Sequence, residues 1–293
     1  MICETCRAEL IADASFCEQC GARVPSSNGD LRSANRVERN VGIAAAVSDR
    51  GNLHHKNDDA FSLERFDTGI AAVVCDGVST SFAADVAARR AADTAGRMLA
   101  EAFADESPGL DETVAAALAS AQGAVEQLPP APGSSALAAP ACTLVCAVCR
   151  GSEIVLGWLG DSRAYWIGAD SSTQLTVDNS WAREQVAAGA MTAQQAAADP
   201  RARSITRWLG GDAPDEPPQL VTLEADEPGS LVLCTDGLWD YSPEADDLGR
   251  LVRQLPEASS PLAIARLLVD GALARGGHDN ITAAVIDVRP EGS

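Results

Sequence analysis

LVLCTDGLWD, residues 231–240, is an apolar run that stops at an aspartate and a glycine. The LVLC portion reads as a buried strand. Asp236 then stands where the strand gives way to a loop, and a carboxylate there can leave the core and face a cleft. The same punctuation recurs along the chain. AAVVC (71–75) runs into Asp76-Gly77, GWLG (157–160) runs into Asp161, and Asp279-Asn280 precedes ITAAVIDV (281–288). One such aspartate usually caps a turn. Four of them, with the pair Asp58–Asp59 in NLHHKNDDA (52–60), form a candidate site. Like charges gather only where a cation neutralises them. Ligation by oxygen alone selects Mg²⁺ or Mn²⁺ over zinc or copper. A glycine after Asp76 lets the Gly77 carbonyl turn toward an ion without interference from a Cβ.

Composition narrows the possibilities. The 293 residues are 46% hydrophobic and 22% charged, a globular balance. A formal net charge of −20 argues against nucleic acid and anionic membrane as partners. No run approaches about 18 apolar residues, and the N-terminus lacks a charged-then-apolar signal pattern. A soluble, cytoplasmic protein is expected. Arginine outnumbers lysine 21 to 1 and alanine is abundant, which suggests a GC-rich bacterial coding bias. There is no G-x-S-x-G elbow, P-loop, GxGxxG or HExxH. With no evident protein nucleophile, a metal-activated water is the natural attacker.

The first 24 residues contain Cys3-x2-Cys6 and Cys17-x2-Cys20. Two such thiolate pairs suit one tetrahedral structural Zn²⁺, which would fold a piece too short to build its own core. The segment's charge of −2 favours a protein contact over nucleic acid. Residues 25–40, PSSNGDLRSANRVERN, read as a linker, and about 41–289 as one domain. Strands are expected at 41–47, 70–75, 142–149, 153–159, 163–168, 219–223, 230–235 and 281–288. Helices are expected at 81–103, 110–127, 244–254 and 261–275, with a polar helical excursion over 178–208. Strands that follow each other directly, with helices in blocks, predict an α+β fold of antiparallel sheets covered by helices. The five cysteines outside the first 24 residues lie in apolar strands. Cys142 and Cys146 share one strand parity and Cys149 has the other, so they read as small core residues.

NDDAF (57–61), VVCDG (73–77), ACTLV (141–145), GWLGDSRAY (157–165), LVLCTDGLWD (231–240) and HDNITAAVI (278–286) occur in this order. As a set they resemble the metal-dependent type 2C protein serine/threonine phosphatase family, across about 41–289. The resemblance implies a four-layer α-β-β-α sandwich with two Mn²⁺ or Mg²⁺ ions in a cleft at one end. It implies hydrolysis of phosphoserine and phosphothreonine by a metal-activated water. The partners would then be phosphorylated proteins and a cognate kinase system. Residue by residue, Asp76 would bridge both metals and the Gly77 carbonyl would bind one. Asp236 and Asp279 would complete the other. Asp58 would bind through water, Asp59 would orient the attacking water, and Asp161 would belong to a third, weaker ion. The 178–208 excursion resembles the family's flap.

The chain also departs from that family. His54 stands in place of a phosphate-gripping arginine, so His54, His55 or Lys56 is expected to share that role. Asn179 stands where a histidine is common, and DGVSTS (76–81) lacks the usual glycine pair. Trp239 is expected as core or cleft wall, and His278 as a locally packed residue. The replacement at position 54 leaves a second reading open, a phosphatase-like binding or regulatory module with weak turnover.

Overall fold

The computed structural model describes residues 31–32, 35–104, 109–132, 139–256 and 259–290. Cys3, Cys6, Cys17 and Cys20, and with them the expected zinc ribbon, lie outside the described residues. The chain opens with five strands: β1 (Leu31–Arg32), β2 (Arg36–Asn40), β3 (Ala44–Asp49), β4 (Ala60–Arg65) and β5 (Ile70–Cys75). Helices α1 (Ala84–Ala104) and α2 (Leu110–Glu126) follow. Then come β6 (Ala141–Cys142), β7 (Leu144–Arg150), β8 (Glu153–Leu159), β9 (Arg163–Ile167) and β10 (Ser172–Gln174). The polar excursion carries α3 (Trp181–Ala187) and α4 (Ala193–Ala197). The chain continues through β11 (Leu209–Gly210), β12 (Gln219–Glu224), β13 (Gly229–Cys234), α5 (Asp236–Trp239), α6 (Ala245–Val252), α7 (Pro261–Ala274) and β14 (Ile281–Val288).

Two antiparallel sheets form, ordered β1-β2-β3-β14-β13-β9-β10 and β12-β8-β7-β5-β4, with a short β11-β6 ribbon beside them. Leu63, Ile70, Leu156, Leu231 and Ile286 pack between the sheets. Val73, Leu144 and Cys146 face Leu99 of α1 and Leu118 of α2. On the other side Val47, Tyr165 and Val285 face Leu248 of α6 and Leu268 of α7. Central strands are therefore covered on both faces. That is why IAAVVC reads as a continuous apolar run and is buried at every residue, rather than alternating. Cys142 and Cys146 point into one core layer and Cys149 into the other, all buried thiols, as their parity predicted.

Strand register brings the acids to one end of the sandwich. Ala60 pairs with Cys75, which sets Asp59 beside Asp76. Cys234 pairs with both Ala283 and Arg163, so Asp236, the Asp279-Asn280 step and Asp161 emerge at the same edge. No pairing within one segment would achieve this.

The linker reading of 25–40 needs correction at its end. Residues 36–40 form β2, registered on β3 with Val37 opposite Ser48. Val37 packs against the inter-sheet core. RVERN looked like linker because its neighbours are charged, but those charges are paired. Arg266 of α7 donates to Glu38 at 2.5 and 3.0 Å, and Arg36 donates to Asp270 at 2.6 Å. Glu38 is buried, so this ion pair ties β2 to the helix layer. The strand β4, over AFSLER, was also not anticipated; all of its first four residues are buried. Removing residues 1–40 should lower the melting temperature by about 5 °C relative to removing residues 1–30, because β2 and its ion pairs are lost. Differential scanning calorimetry of the two truncated chains checks this; identical melting temperatures would return 36–40 to the linker.

Candidate active site

The strand ends enclose a cavity of about 590 Å³. Its lining includes His54, Asp58, Asp76, Asp161, Asp236 and Asp279. All five of these acids were picked out from the sequence. Asp59 is the exception: it is buried and is not among the residues that line this cavity. Its Oδ2 accepts from the hydroxyls of Thr235 at 2.9 Å and Thr282 at 2.7 Å. Its Oδ1 is buried with no hydrogen-bond partner.

The two Asp-Gly steps are set by close packing. A Cβ on Gly77 would fall 2.7 Å from the Ala84 carbonyl at the start of α1. A Cβ on Gly237 would fall 2.0 Å from the Asn280 carbonyl. Glycine is required there by the approach of a neighbouring backbone, which tightens the original argument from carbonyl freedom.

Buried hydroxyls and amides then fix the acids' backbones. Thr143 donates its N–H to the Asp76 carbonyl at 2.8 Å, and its Oγ1 accepts from the Asp76 N–H at 3.3 Å. The same hydroxyl lies 2.7 Å from Ser162, next to Asp161. Asn280 donates to the carbonyls of Arg50 at 2.7 Å and Lys56 at 3.0 Å, and accepts from the Asp58 N–H at 2.7 Å. It therefore pins the 50–58 loop against β14. Trp239 donates its indole N–H to the Asp161 carbonyl at 3.0 Å, with Arg163 stacked 3.7 Å over its ring. It is a cleft-wall residue with a positioning bond.

The expected cation cluster divides. His54 alone lines the cavity, its Nε2 lying 3.3 Å from Asp279 Oδ1. Lys56 lies 3.4 Å from Asp58 and also pairs with Asp85, while His55 is exposed. His278 stacks 5.9 Å from Tyr241, whose hydroxyl accepts its backbone N–H at 3.0 Å, a local packing role. Asn179 is buried and clamps the loop before Asp161: its Oδ1 accepts from the Gly160 N–H at 2.9 Å, and it donates to Gln219 at 2.8 Å. Thr143, Thr235, Thr282 and Asn280 were missed as site-building residues. Each sits inside a quoted motif, but a lone threonine or asparagine at a strand end carries no distinctive signal.

Among the described residues, no three carboxylate, imidazole or thiol side chains converge as a ready-made coordination shell. The acids line a common wall instead. Their electrostatics favour a cation all the same. Asp76, Asp161 and Asp236 keep part of their surface open to the cavity, yet the surrounding protein disfavours their charged forms. Loss of water and then the charge of Asp59 hold Asp76 well above the usual carboxylate range. Loss of water and then Asp236 push Asp161 up to about 7. Loss of water and then Asp279 push Asp236 up to about 6. The repulsion among these acids, and the orphaned oxygen of Asp59, are what hard divalent cations would relieve. The donor set is all oxygen and fits Mn²⁺ or Mg²⁺.

The paired antiparallel sheets and the acid-lined cavity at their edge form an all-oxygen centre whose chemistry suits divalent cations. The family "Protein phosphatase 2C" matches residues 52–268, and the chain belongs to that family of enzymes. A serine/threonine phosphatase of Listeria innocua is 30% identical over 249 residues, covering 82% of this chain and 93% of that protein. The serine/threonine protein phosphatase PstP of Mycobacterium tuberculosis is 30% identical over 253 residues. That match covers 83% of this chain but 44% of the mycobacterial protein. A crystal structure of the PstP catalytic domain with two manganese ions, 30% identical, superposes with a TM-score of 0.63. It covers 87% of this chain and 99% of that one. A bacterial serine phosphatase at 24% identity shares the fold, with a TM-score of 0.73 over 86% of this chain and all of that one.

Two outcomes follow from this geometry. The ion-free fold keeps protons on its acids that the unfolded chain releases near pH 3.8, so it loses stability as pH rises from about 4 through 7. The melting temperature of metal-stripped protein should fall between pH 5 and 8, and Mn²⁺ should raise it more at pH 8 than at pH 5.5. A flat profile would contradict the repulsion. Asn280→Ala should cost about 1–3 kcal/mol in urea unfolding, since it leaves two part-buried carbonyls and one part-buried N–H without their partner.

Proposed function

We propose that the chain is a metal-dependent protein phosphatase that hydrolyses phosphoserine and phosphothreonine in proteins. The observation that carries this reading is the convergence of five carboxylates on one cavity, with a sixth, Asp59, buried beside them. Two ions would be held by Asp76, Asp236, Asp279 and the Gly77 carbonyl, with Asp58 acting through water and Asp161 serving a third, weaker ion. When bound, Mn²⁺ or Mg²⁺ supplies an activated water and draws charge from the phosphoryl oxygens. The residues of the chain do the remainder. Thr235 and Thr282 hold one oxygen of Asp59, and Asp59, buried behind the cavity wall, would orient the attacking water through its charge on Asp76 rather than by facing the cavity. His54, at the cavity wall beside Asp279, offers a donor to the phosphoryl group. The 198–208 stretch forms one wall through Pro200, Ile205 and Trp208, apolar surface suited to the peptide that bears the phosphate.

The same proposal covers the parts beyond the described residues. Cys3, Cys6, Cys17 and Cys20 hold one structural Zn²⁺, and the ribbon they form docks a protein partner; the CxxC spacing supports this. The substrates are phosphorylated proteins of a serine/threonine kinase system in the cytoplasm. Among the described residues no helix is long and apolar enough to cross a membrane.

Mn²⁺-dependent phosphate release from a phosphothreonine peptide should fall at least about 100-fold in Asp236→Ala, the order expected when a catalytic metal ligand is lost. Background release by both proteins would remove the enzyme reading. Retained phosphopeptide binding in that case would place the chain among phosphatase-like binding modules, the reading that the histidine at position 54 keeps open. Elemental analysis of the same sample should give about one zinc per chain, lost on Cys3→Ser with Cys6→Ser.

A further inference from the structure

We propose that Arg203, on the segment between α4 and β11, is the cation that grips the substrate's phosphoryl group. The proposal rests on the phosphatase reading above. It starts from the histidine at position 54. His54 is engaged with Asp279 and offers no fixed fork. Lys56 is held by Asp58 and Asp85 and does not line the cavity. Among the described lining residues, Arg203 is the one that carries a permanent positive charge.

Its placement is built rather than incidental. The 199–206 segment is fastened from both sides: Trp181 donates its N–H to the Ser204 carbonyl at 2.8 Å, and Thr206 donates to Asn179 at 2.8 Å. The neighbouring arginines are occupied elsewhere. Arg201 chelates Asp199 and stacks 4.0 Å over Trp181, and Arg207 pairs with Glu216. Arg203 alone of the three reaches the cavity, where Nη1 donates to Asp240 Oδ2 at 2.5 Å. Asp240 lies one helical turn beyond Asp236, its N–H bonded to the Asp236 carbonyl at 2.9 Å. The guanidinium is thus tethered beside the acid ring, and Asp236 and Asp161 both feel its charge or lend it theirs. The Arg203 side chain remains 73% exposed. An exposed pair of this kind is weak, so exchanging Asp240 for a phosphoryl group costs little. A guanidinium offers that group two parallel donors at fixed spacing.

The test is steady-state hydrolysis of a phosphothreonine peptide at saturating Mn²⁺, with inorganic phosphate as competing product. Arg203→Ala should lower kcat/KM about 10-fold and raise the inhibition constant of phosphate by a similar factor, as loss of a charged hydrogen bond predicts. Arg203→Lys should recover part of the loss. The Mn²⁺ concentration for half-maximal activity should stay within about twofold, a readout that a merely structural disturbance of Asp236 would move. Asp240→Asn should free the fork and lower the phosphate inhibition constant, and it carries the test if Arg203→Ala does not fold. An unchanged phosphate constant in Arg203→Ala, or a larger rise in His54→Ala, would overturn the proposal. If the wild type shows no Mn²⁺-dependent turnover, the phosphatase reading fails instead. The grip is then decided by calorimetric binding of the phosphopeptide, where equal affinity of wild type and Arg203→Ala overturns it and weaker binding by the variant supports it.

Discussion

Repulsion among carboxylates is the constraint on which the rest of this structure depends. Asp58, Asp76, Asp161, Asp236 and Asp279 share one cavity, with Asp59 buried nearby. Loss of water and mutual repulsion disfavour the charged forms of Asp76, Asp161 and Asp236. Without a cation the acids keep their protons to higher pH, Asp161 to about 7 and Asp236 to about 6. A fold that accepts this cost needs a rigid frame. The frame is the sandwich, whose central strands are buried on both faces and fixed in register between two apolar layers.

Neutral groups translate that rigidity into the positions of the acids. Thr143, Thr235, Thr282 and Asn280 are buried and spend their hydrogen bonds on the acids or on the backbone that carries them. Uncharged donors suit this task. They satisfy a carboxylate without adding a charge that a metal would have to displace. Basic side chains are kept at the margin instead: His54 beside Asp279, Lys56 beside Asp58, and Arg203 tied to Asp240. The protein is therefore negative at its centre and sparingly positive at the entrance, an arrangement that attracts divalent ions inward and leaves an anion a foothold outside.

Much of this was legible in the sequence. Central strands such as IAAVVC and LVLC announce themselves because burial on both faces removes every polar residue. Asp76, Asp161 and Asp236 announce themselves because an aspartate after such a run breaks the pattern, and Asp279 because it stands just before one. Edge elements were harder to read. RVERN hides a strand because its charges are satisfied by Arg266 and Asp270, residues more than 220 positions away. Asp59 was read as facing the site, whereas the hydroxyls that draw it into the interior come from β14 and the end of β13.

The sequence by itself determined the strand ends, the acids placed on them, and the oxygen-only chemistry that follows. Those are local properties: a run of apolar residues, its length, and the residue that interrupts it. Only the tertiary structure decided which acids meet, which one turns inward, and which cation reaches them. Antiparallel register sets the first, hydroxyl partners from distant strands the second, and the fastening of the 199–206 segment the third. Each depends on contacts between residues far apart in the chain, which no short stretch of sequence encodes.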